Sequence, residues 1–507
     1  MKVSGRGAAL VSSGEDIIMP DAAMLIRALR QIGYSFEQAI SDLIDNSISA
    51  GASVVLLRFF VEREKIRSIA LVDNGSGMSE KGLTEAMRFG SEADVNRRTL
   101  GKFGMGMKLA SLSYAQSLTV VTTQNSRPAA ARRWSVRNIG AGWACTRISA
   151  GDAAKVVNAP WGELSPARHG TAVLWDDIDR LPTGEKGIRE LLKQLQRRLQ
   201  LHLGMTFHRF LEKKQGRRHA FRILLDLQFD GTDERPHFVE VEPLNPFGYS
   251  ASGHPEYPQN FVVNLGGRHR VEAEACIWPV NAEDPAYKLG NRTAARQGFY
   301  FYRNDRLIQA GGWNGLVQSD AEPHSSLARV RIDLPQNLDA LFGLNVQKSA
   351  VIIPPIFLPA LLAARSDGKK TFDEYRSTAQ TVYRRHDVRA ERQQTLIPTK
   401  GLPKALRTYL KTTLPGKTGS RGVMFVWADL DSPSSVFEID RKNTNILVSR
   451  RLRKSFPSGS GKELTLLKTC LFFLLQEDLL SRRISSAQEK RLSVLNASLA
   501  KILFAPD

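Results

Sequence analysis

Residues 38–49 alternate between polar and apolar positions at helical spacing. Two sets of side chains recur every three or four residues on opposite faces, which predicts one amphipathic helix packed against a core. The polar set is Asp42, Asp45, Asn46 and Ser49, and the apolar set is Ile40, Leu43, Ile44 and Ile48. Ser35 and Gln38 form a capping box predicted to start this helix, and Gly51 is predicted to end it.

The polar face of this helix carries residue types suited to metal-assisted hydrolysis. The amide oxygen of Asn46 is a ligand for a hard cation. The Asp42 carboxylate, one turn earlier, can take a proton from a water near that cation. A solvated helix face would show the same pattern, so the helix alone leaves both interpretations open.

A strand-like run at 68–72 ends in a carboxylate beside two glycines. Asp73 follows the run directly, and Gly75 and Gly77 stand at alternate positions in the turn. Glycines there leave room for a flat ligand at the sheet edge, where the carboxylate can accept a hydrogen bond from an exocyclic amine. The alternative is a tight turn that binds nothing.

Glycines also cluster before a short apolar helix predicted at 109–115. They are Gly101, Gly104 and Gly106. Glycines at the mouth of a helix free backbone N–H groups to face phosphate oxygens, and the helix dipole and Lys108 add positive potential. The preceding stretch, 91–98, is polar and charged rather than strand-like, so a flexible lid is predicted in place of a Rossmann loop.

A fourth segment, 169–171, leads into a strand predicted at 172–175, where the Thr171 hydroxyl can support Asp73. Together and in this order, the four segments resemble the GHKL superfamily of ATPases, which includes gyrase, the heat-shock chaperones, histidine kinases and MutL. The resemblance spans residues 35–175. It implies a Bergerat-type ATP-binding domain of the α/β (α+β sandwich) class, with ATP and Mg²⁺ as its ligands.

The resemblance implies a role for each matching position. Asn46 would hold Mg²⁺, and Asp42 would activate the attacking water. Asp73 would bind the adenine amine, with Thr171 behind it through water. The residues implied to form the ATP site are Asn46, Asp45, Asp73, Gly75, Gly77, Met78, Gly101, Lys102, Phe103, Gly104, Met105, Gly106, Lys108 and Thr171.

The helix departs from the family pattern at two positions. Hydrolysing branches usually carry Glu where Asp42 stands, and an Asp carboxylate sits one C–C bond, about 1.5 Å, further back. Because a base must come within hydrogen-bond reach of its water, slow hydrolysis is expected. Asp45 is the other candidate base, at a position where MutL-like members also carry an acid. Ser49 replaces an acid that is common in the motif.

A linking helix and a second domain are predicted next. The helix, 185–214, is amphipathic and rich in Arg and Lys. Five strand-like runs follow it, at 221–229, 261–263, 271–280, 298–302 and 328–332. The phrases at 241–247 and 299–308 resemble parts of MORC and MutL proteins, which implies a transducer (ribosomal S5 domain 2-like) domain. Residues 344–349 resemble the loop that sends a lysine into the ATP site, so Lys348 would contact the γ-phosphate and assist catalysis. A surface lysine on a turn is the alternative.

The rest of the chain is basic and ends in a predicted small α/β unit. Residues 371–415 are rich in Arg and Lys, and the apolar stretch 471–475 needs burial, for which a dimer interface is one solution. The chain has 71 Lys and Arg against 51 Asp and Glu, a formal net charge of +20. Such an excess attracts polyanions, so double-stranded DNA is the expected client. Simple solubility is the alternative explanation.

Composition indicates an ordinary globular protein, with 42% hydrophobic and 24% charged residues. No apolar run approaches the roughly 20 residues of a membrane span, and residues 1–20 lack the apolar core of a signal peptide. The cysteines, Cys145, Cys276 and Cys470, show no metal or disulfide spacing. A cytoplasmic protein without membrane association is therefore expected.

These inferences predict three domains: a GHKL ATP-binding domain at 1–183, a linking helix and transducer domain at 184–366, and a basic α/β domain at 367–507. The expected protein is a slow Mg²⁺-dependent ATPase most like bacterial MORC-like ATPases. ATP would close a homodimeric clamp on DNA, in genome maintenance or antiviral defence, with any cutting supplied by a partner effector protein. The alternatives are an ATP-driven protein-remodelling chaperone and a nucleotide-gated scaffold.

Overall fold

A computed structural model of the chain describes residues 21–31, 33–90, 105–181, 187–212, 221–230, 238–280, 284–290, 293–316, 322–343, 351–393, 395–414, 420–430, 432, 435–456, 461–480 and 486–504. These residues form a mixed α/β architecture with three sheets. The chain separates into two compact units, Met1–Gln380 and Thr381–Asp507. The predicted divisions after residues 183 and 366 stay predictions. Within the described ranges, no helix is long and apolar enough to cross a membrane.

An eight-stranded sheet forms the first part of the larger unit. Its strands are β1 (Val54–Glu62), β2 (Lys65–Asp73), β3 (Ala115–Thr123), β4 (Ala130–Ser135), β5 (Thr146–Arg147), β6 (Gly170–Ile178), β7 (Arg222–Phe229) and β8 (Val239–Glu240). In space they run in the order β5-β4-β3-β6-β2-β1-β7-β8. Strand β7 lies parallel to β1, whereas the other neighbours pair antiparallel. The sheet therefore continues past residue 183.

Helices cover both faces of this sheet. They are α1 (Ala22–Arg30), α2 (Phe36–Ser49), α3 (Glu80–Met87), α4 (Gly106–Leu112), α5 (Val136–Gly140), α6 (Ala150–Val157), α7 (Ile188–Thr206) and α8 (His208–Leu211). Successive strand residues point to opposite faces. Leu71 of β2 belongs to the core that contains Ile44 of α2, whereas Val72 belongs to a second core with Ala153 of α6. Asp73 continues the face of Leu71, toward α2.

A buried ion pair attaches β7 to the sheet. Arg58 of β1 lies opposite Asp226 of β7, and its Nε lies 2.6 Å from Asp226 Oδ2. Both side chains are at most 3% exposed, and Arg58 Nη1 also donates to the Pro160 carbonyl at 2.8 Å. Without β7, the buried charge of Arg58 would have lost its Asp226 partner, which is strongly destabilising. Strand β7 is therefore an integral part of the first sheet.

A five-stranded sheet follows in the same unit. Its elements are β9 (Gln259–Asn264), β10 (Arg270–Ile277), α9 (Pro285–Lys288), β11 (Gly298–Arg303), β12 (Arg306–Ala310), β13 (Ala328–Asp333), α10 (Phe357–Ala363) and α11 (Phe372–Gln393), with 3₁₀ turns at Thr293–Arg296, Pro323–Ser325 and Gln336–Leu338. The strand order is β12-β11-β13-β10-β9. Phe299, Phe301 and Trp313 are fully buried in its core. All five predicted strand-like runs are confirmed as strands, although the first forms β7 of the other sheet.

The C-terminal unit is built on a four-stranded sheet. Its elements are β14 (Thr395–Lys400), α12 (Lys404–Thr413), β15 (Ser420–Ala428), β16 (Phe437–Asp440), β17 (Asn445–Ser449), α13 (Leu452–Ser455), α14 (Lys462–Leu474), α15 (Gln476–Leu480) and α16 (Ser486–Leu503). The strand order is β14-β15-β17-β16. Leu471 and Phe472 of α14 are buried in the core of this unit, whereas Phe473 and Leu474 are about half exposed. The predicted dimer interface here stays a prediction.

Candidate nucleotide site

Helix α2 starts where the sequence predicts. Ser35 Oγ accepts a hydrogen bond from Gln38 N, and Gln38 Oε1 accepts one from Ser35 N, each at 3.2 Å. The capping box is thus confirmed. The helix ends at Ala50, and Gly51 follows with a φ of +72°. Because its ends are fixed, α2 presents its side chains at defined positions.

Asp73 is buried at the end of β2 and is held from two sides. Its Oδ2 accepts from Ser47 Oγ and its Oδ1 accepts from Gly75 N, each at 2.8 Å. Burial raises the pKa of Asp73, and the hydrogen bonds from Gly75 and Ser47 oppose that shift. The role of Ser47 was not predicted from the sequence. Its signal was a hydroxyl on the apolar face of α2, where a polar atom needs a buried partner.

The turn after Asp73 requires glycine at two positions. A Cβ on Gly77, whose φ is +63°, would lie 1.9 Å from the Thr123 carbonyl oxygen. A Cβ on Gly75 would lie 2.9 Å from Ala50 Cβ and 3.0 Å from Asp73 Oδ1. Because glycine has no side chain, the backbone at Gly75 and Gly77 can pass this close to Ala50 and Thr123.

Strand β6 brings a pair of hydroxyls to the same edge. Thr171 lies opposite Asp73 in the β2–β6 register, and its Oγ1 lies 3.2 Å from Thr122 Oγ1. Thr122 Oγ1 donates to the Gly170 carbonyl at 3.0 Å and accepts from Met78 N at 2.9 Å. Thr122 was not predicted from the sequence as a residue of this site. The water-mediated role of Thr171 stays a prediction.

The polar face of α2 divides into two exposed side chains, Asn46 and Ser49, and two buried ones. Asn46 is exposed, whereas Asp42 and Asp45 are 4% and 1% exposed. Asp42 Oδ2 accepts from the Tyr34 hydroxyl at 3.1 Å, and burial, followed by the nearby Asp42 charge, raises the pKa of Tyr34. Asp45 Oδ2 lies 2.9 Å from Nε of Arg306 in β12. Tyr34 and Arg306 were not predicted as site residues: Tyr34 precedes the motif of α2, and the 299–308 phrase that contains Arg306 indicated a second domain but no contact with α2.

Only the last part of the predicted lid, from Met105 onward, lies within the described ranges. Met105 is the N-cap of α4, Gly106 is its first residue, and a Cβ on Gly106 would lie 3.5 Å from Asp42 Oδ2. Lys108 is buried, donates to the Ala86 carbonyl at 2.7 Å, and has a pKa that burial lowers to about 8. Its predicted phosphate contact stays a prediction. The site residues outside the described ranges are Gly101, Lys102, Phe103, Gly104 and Lys348.

Comparison with known families agrees with this geometry. Residues 34–171 match the family model described as histidine kinase-, DNA gyrase B-, and HSP90-like ATPase. The match runs from Tyr34, just before α2, to Thr171 in β6, and so includes the Asp73 turn. This part of the chain is therefore similar to GHKL-type ATPase domains, and it lies within a mixed α/β protein.

More particular relatives are distant. A solved structure titled "Crystal Structure of N terminal domain of a DNA repair protein" is similar with a TM-score of 0.40 and 16% sequence identity, covering 72% of this chain and 99% of that chain. A likeness at that level supports no argument about function. No curated protein matches the chain. The predicted MORC-like character stays a prediction.

Proposed function

We propose that this protein binds ATP with Mg²⁺ and hydrolyses it slowly. The observation that carries the proposal is the Asp73 carboxylate, which Ser47 and Gly75 orient at the end of β2. A fixed, buried acceptor beside a glycine turn suits the amino group of a flat base such as adenine. Burial raises the pKa of Asp73, so its ionised form would gain from such a donor.

Asn46 would hold the Mg²⁺. Its exposed amide fits an ion that takes one or two ligands from protein and the others from phosphate oxygens and water. Bound there, the ion would neutralise charge that develops on the transferred phosphoryl group. Asp42 lies one helical turn earlier, roughly 6 Å along the axis of α2. It would therefore take the proton from the attacking water.

The surroundings of Asp42 support slow turnover. Its Oδ2 already accepts from Tyr34 at 3.1 Å, and its Oδ1 lies 3.6 Å from Arg306 Nη2. A carboxylate engaged in this way must accommodate a water before it can act as a base. The same observation favours a second candidate function, a nucleotide-gated scaffold that binds ATP without hydrolysis.

DNA is the client that the charge distribution favours. Residues 381–507 contain 23 Lys and Arg against 11 Asp and Glu, so they carry +12 of the formal net charge of +20. A basic unit attached to a nucleotide switch suits an ATP-closed homodimer that encloses double-stranded DNA. Closure would bring Lys348 to the γ-phosphate, and a partner effector protein would supply any cutting.

The test is steady-state ATP hydrolysis by wild type and by Asp42→Asn, with and without double-stranded DNA, at two salt concentrations. The proposal expects turnover in wild type, loss in the variant, and stimulation by DNA. DNA affinity should fall with salt at a log–log slope of about −0.9 per phosphate contacted. Binding of ATP with no turnover would favour the scaffold. Turnover that DNA does not affect at either salt concentration would favour a protein client, as in a chaperone.

A further inference from the structure

We propose that Arg306 is a positioning residue through which the second domain sets the geometry of Asp42. The second domain here means the part of the larger unit that is built on the five-stranded sheet. The inference rests on the proposed ATP hydrolysis, and it assigns a role to a residue outside the matched ATPase domain. Arg306 is the first residue of β12, in the five-stranded sheet, whereas Asp42 lies in α2. Its consequence is that turnover depends on where the second domain sits on the nucleotide-binding helix.

Arg306 lies against two carboxylates of α2. Its Nε is 2.9 Å from Asp45 Oδ2, and its Nη2 is 3.6 Å from Asp42 Oδ1. All three side chains are at most 3% exposed. Asp42 and Asp45 are three residues apart, so they share one face of the helix and repel each other when both are charged. One guanidinium facing both compensates that repulsion and favours orientations that keep an oxygen of each carboxylate near it.

Asp42 is thus held from two directions. The Tyr34 hydroxyl donates to Oδ2 from the segment just before α2, and Arg306 faces Oδ1 from the second domain. Contacts on both oxygens restrict rotation of the carboxylate more than a contact on one oxygen does. A shift of β12 would therefore be transmitted to the orientation of the proposed base.

The hairpin that carries Arg306 is itself rigid. Strands β11 and β12 are joined by Asn304 and Asp305, which have φ values of +48° and +65°, typical of a two-residue hairpin turn. Arg303, just before the turn, binds Asp339 through two hydrogen bonds of 2.7 and 3.1 Å. The backbone at Arg306 is therefore held by contacts within the five-stranded sheet, in addition to the contact of its side chain with α2.

The linking helices tie this hairpin to α2. Arg209 of α8 stacks over the Tyr302 ring of β11 at 3.7 Å, and His208 Nε2 lies 3.0 Å from the Tyr302 hydroxyl. Further along, His202 Nε2 of α7 lies 3.1 Å from Ser41 Oγ of α2. Burial, and then the Arg306 charge, lowers the pKa of His202 to about 4, so this histidine is neutral near pH 7. The contact between His202 and Ser41 is therefore a hydrogen bond between neutral groups, near the charged side chains of Arg306, Asp42 and Asp45.

The test uses the full-length protein and four variants: Arg306→Gln, Asp45→Asn, the double variant Asp45→Asn/Arg306→Gln, and Arg306→Lys. For each, kcat and KM for ATP are measured, and the Kd of a fluorescent ATP analogue is measured separately. Arg306→Gln should lower kcat by about a hundredfold, the scale expected for a misplaced catalytic group, and leave the Kd nearly unchanged. Arg331→Gln is the matched control, because Arg331 pairs with Glu274 in the same sheet and should leave kcat unchanged.

The double variant separates positioning from simple charge compensation. It removes the buried pair as a unit, so it tests whether Asp42 needs Arg306 when Asp45 no longer does. A kcat below that of Asp45→Asn alone supports the inference, and a kcat equal to that of Asp45→Asn overturns it, since Arg306 would then serve only Asp45.

Three further outcomes bear on the role of Arg306. Should Arg306→Gln fail to fold, Arg306→Lys keeps the charge without the planar fork, and it should still lower kcat while nucleotide binding is retained; wild-type kcat in that variant would overturn the inference. Wild-type hydrolysis combined with an unchanged kcat in Arg306→Gln refutes the role of Arg306 alone. A wild type that binds ATP without hydrolysis, or does not bind it, overturns the proposed ATPase function and this inference with it.

Discussion

The substitution Asp73→Asn separates nucleotide binding from folding. Asparagine keeps the shape of the side chain: its oxygen can accept from Gly75 N, and its amide can donate to Ser47 Oγ, at the two positions now occupied by carboxylate oxygens 2.8 Å away. The charge and one acceptor are lost. ATP binding should therefore weaken although the fold is retained.

The magnitude follows from the contact that disappears. A hydrogen bond to a charged group contributes about 1.5–3 kcal/mol, so the Kd for ATP should rise by at least tenfold and up to about a hundredfold. An amide that turns its N–H₂ toward the adenine amine adds repulsion between two donors. Wild-type affinity should also fall on acidification through the raised pKa of Asp73, whereas the affinity of Asp73→Asn should not follow that titration.

Stability should change in the opposite sense. Because burial raises the pKa of Asp73 in the folded state, its contribution to stability is present below the unfolded pKa and is lost as pH rises through the folded pKa. At neutral pH the buried charge therefore destabilises the wild type. Asp73→Asn removes that charge, so its free energy of unfolding at pH 7 should equal or exceed that of the wild type.

The assay combines fluorescence titration with an ATP analogue and urea unfolding at several pH values. Ser76→Ala is a suitable control, because its exposed hydroxyl lies in the same turn without contacting Asp73. A folded Asp73→Asn protein that binds ATP as tightly as the wild type would refute the assignment of Asp73 to the base. A variant that binds poorly because it is unfolded would refute the stability argument instead.

Two further substitutions test the site. Gly77→Ala should abolish nucleotide binding and destabilise the protein by more than the roughly 1 kcal/mol expected from left-handed strain alone, because its Cβ would lie 1.9 Å from the Thr123 oxygen. Gly51→Ala, with a similar φ of +72° and open space, is the control, and equal unfolding free energies for the two would contradict the clash. Lys108→Met should raise the free energy of unfolding at pH 7 by up to about 3 kcal/mol, because burial lowers the Lys108 pKa to about 8 and the buried charge destabilises the fold. This gain should shrink as pH rises from about 8 toward the unfolded pKa, and a less stable variant in urea unfolding would show that the hydrogen bond to Ala86 outweighs the burial of the charge.

Local sequence determined the parts of the site that could be predicted. The capping box, the amphipathic face of α2 and the carboxylate at the end of β2 each depend on residues a few positions apart, and the structure contains all three. The contacts of Asp73 and Asp45 depend on residues far away in the chain. Ser47 donates to Asp73, which lies 26 positions further along the chain. Arg306 contacts Asp45 of α2 from the five-stranded sheet.

The pairing of strands that lie far apart in the chain also could not be predicted from the sequence. The hydrophobic pattern predicted a strand at 221–229, but a strand's own residues do not specify its neighbour. Only the folded chain shows Asp226 beside Arg58 and β7 next to β1. The buried arginine in β1 was a signal available in retrospect, since a charge within an apolar strand needs an opposite charge from elsewhere.

The return of the chain to the first sheet has a practical meaning for dissecting this protein. A fragment that stops at residue 183 would contain the matched ATPase region yet lack β7, so the edge of β1 would be exposed and prone to pair with other chains. Arg58 would also lose Asp226 from an apolar setting. A fragment intended to keep β1 paired must therefore include α7 and β7, so it should end beyond residue 229 rather than at residue 183.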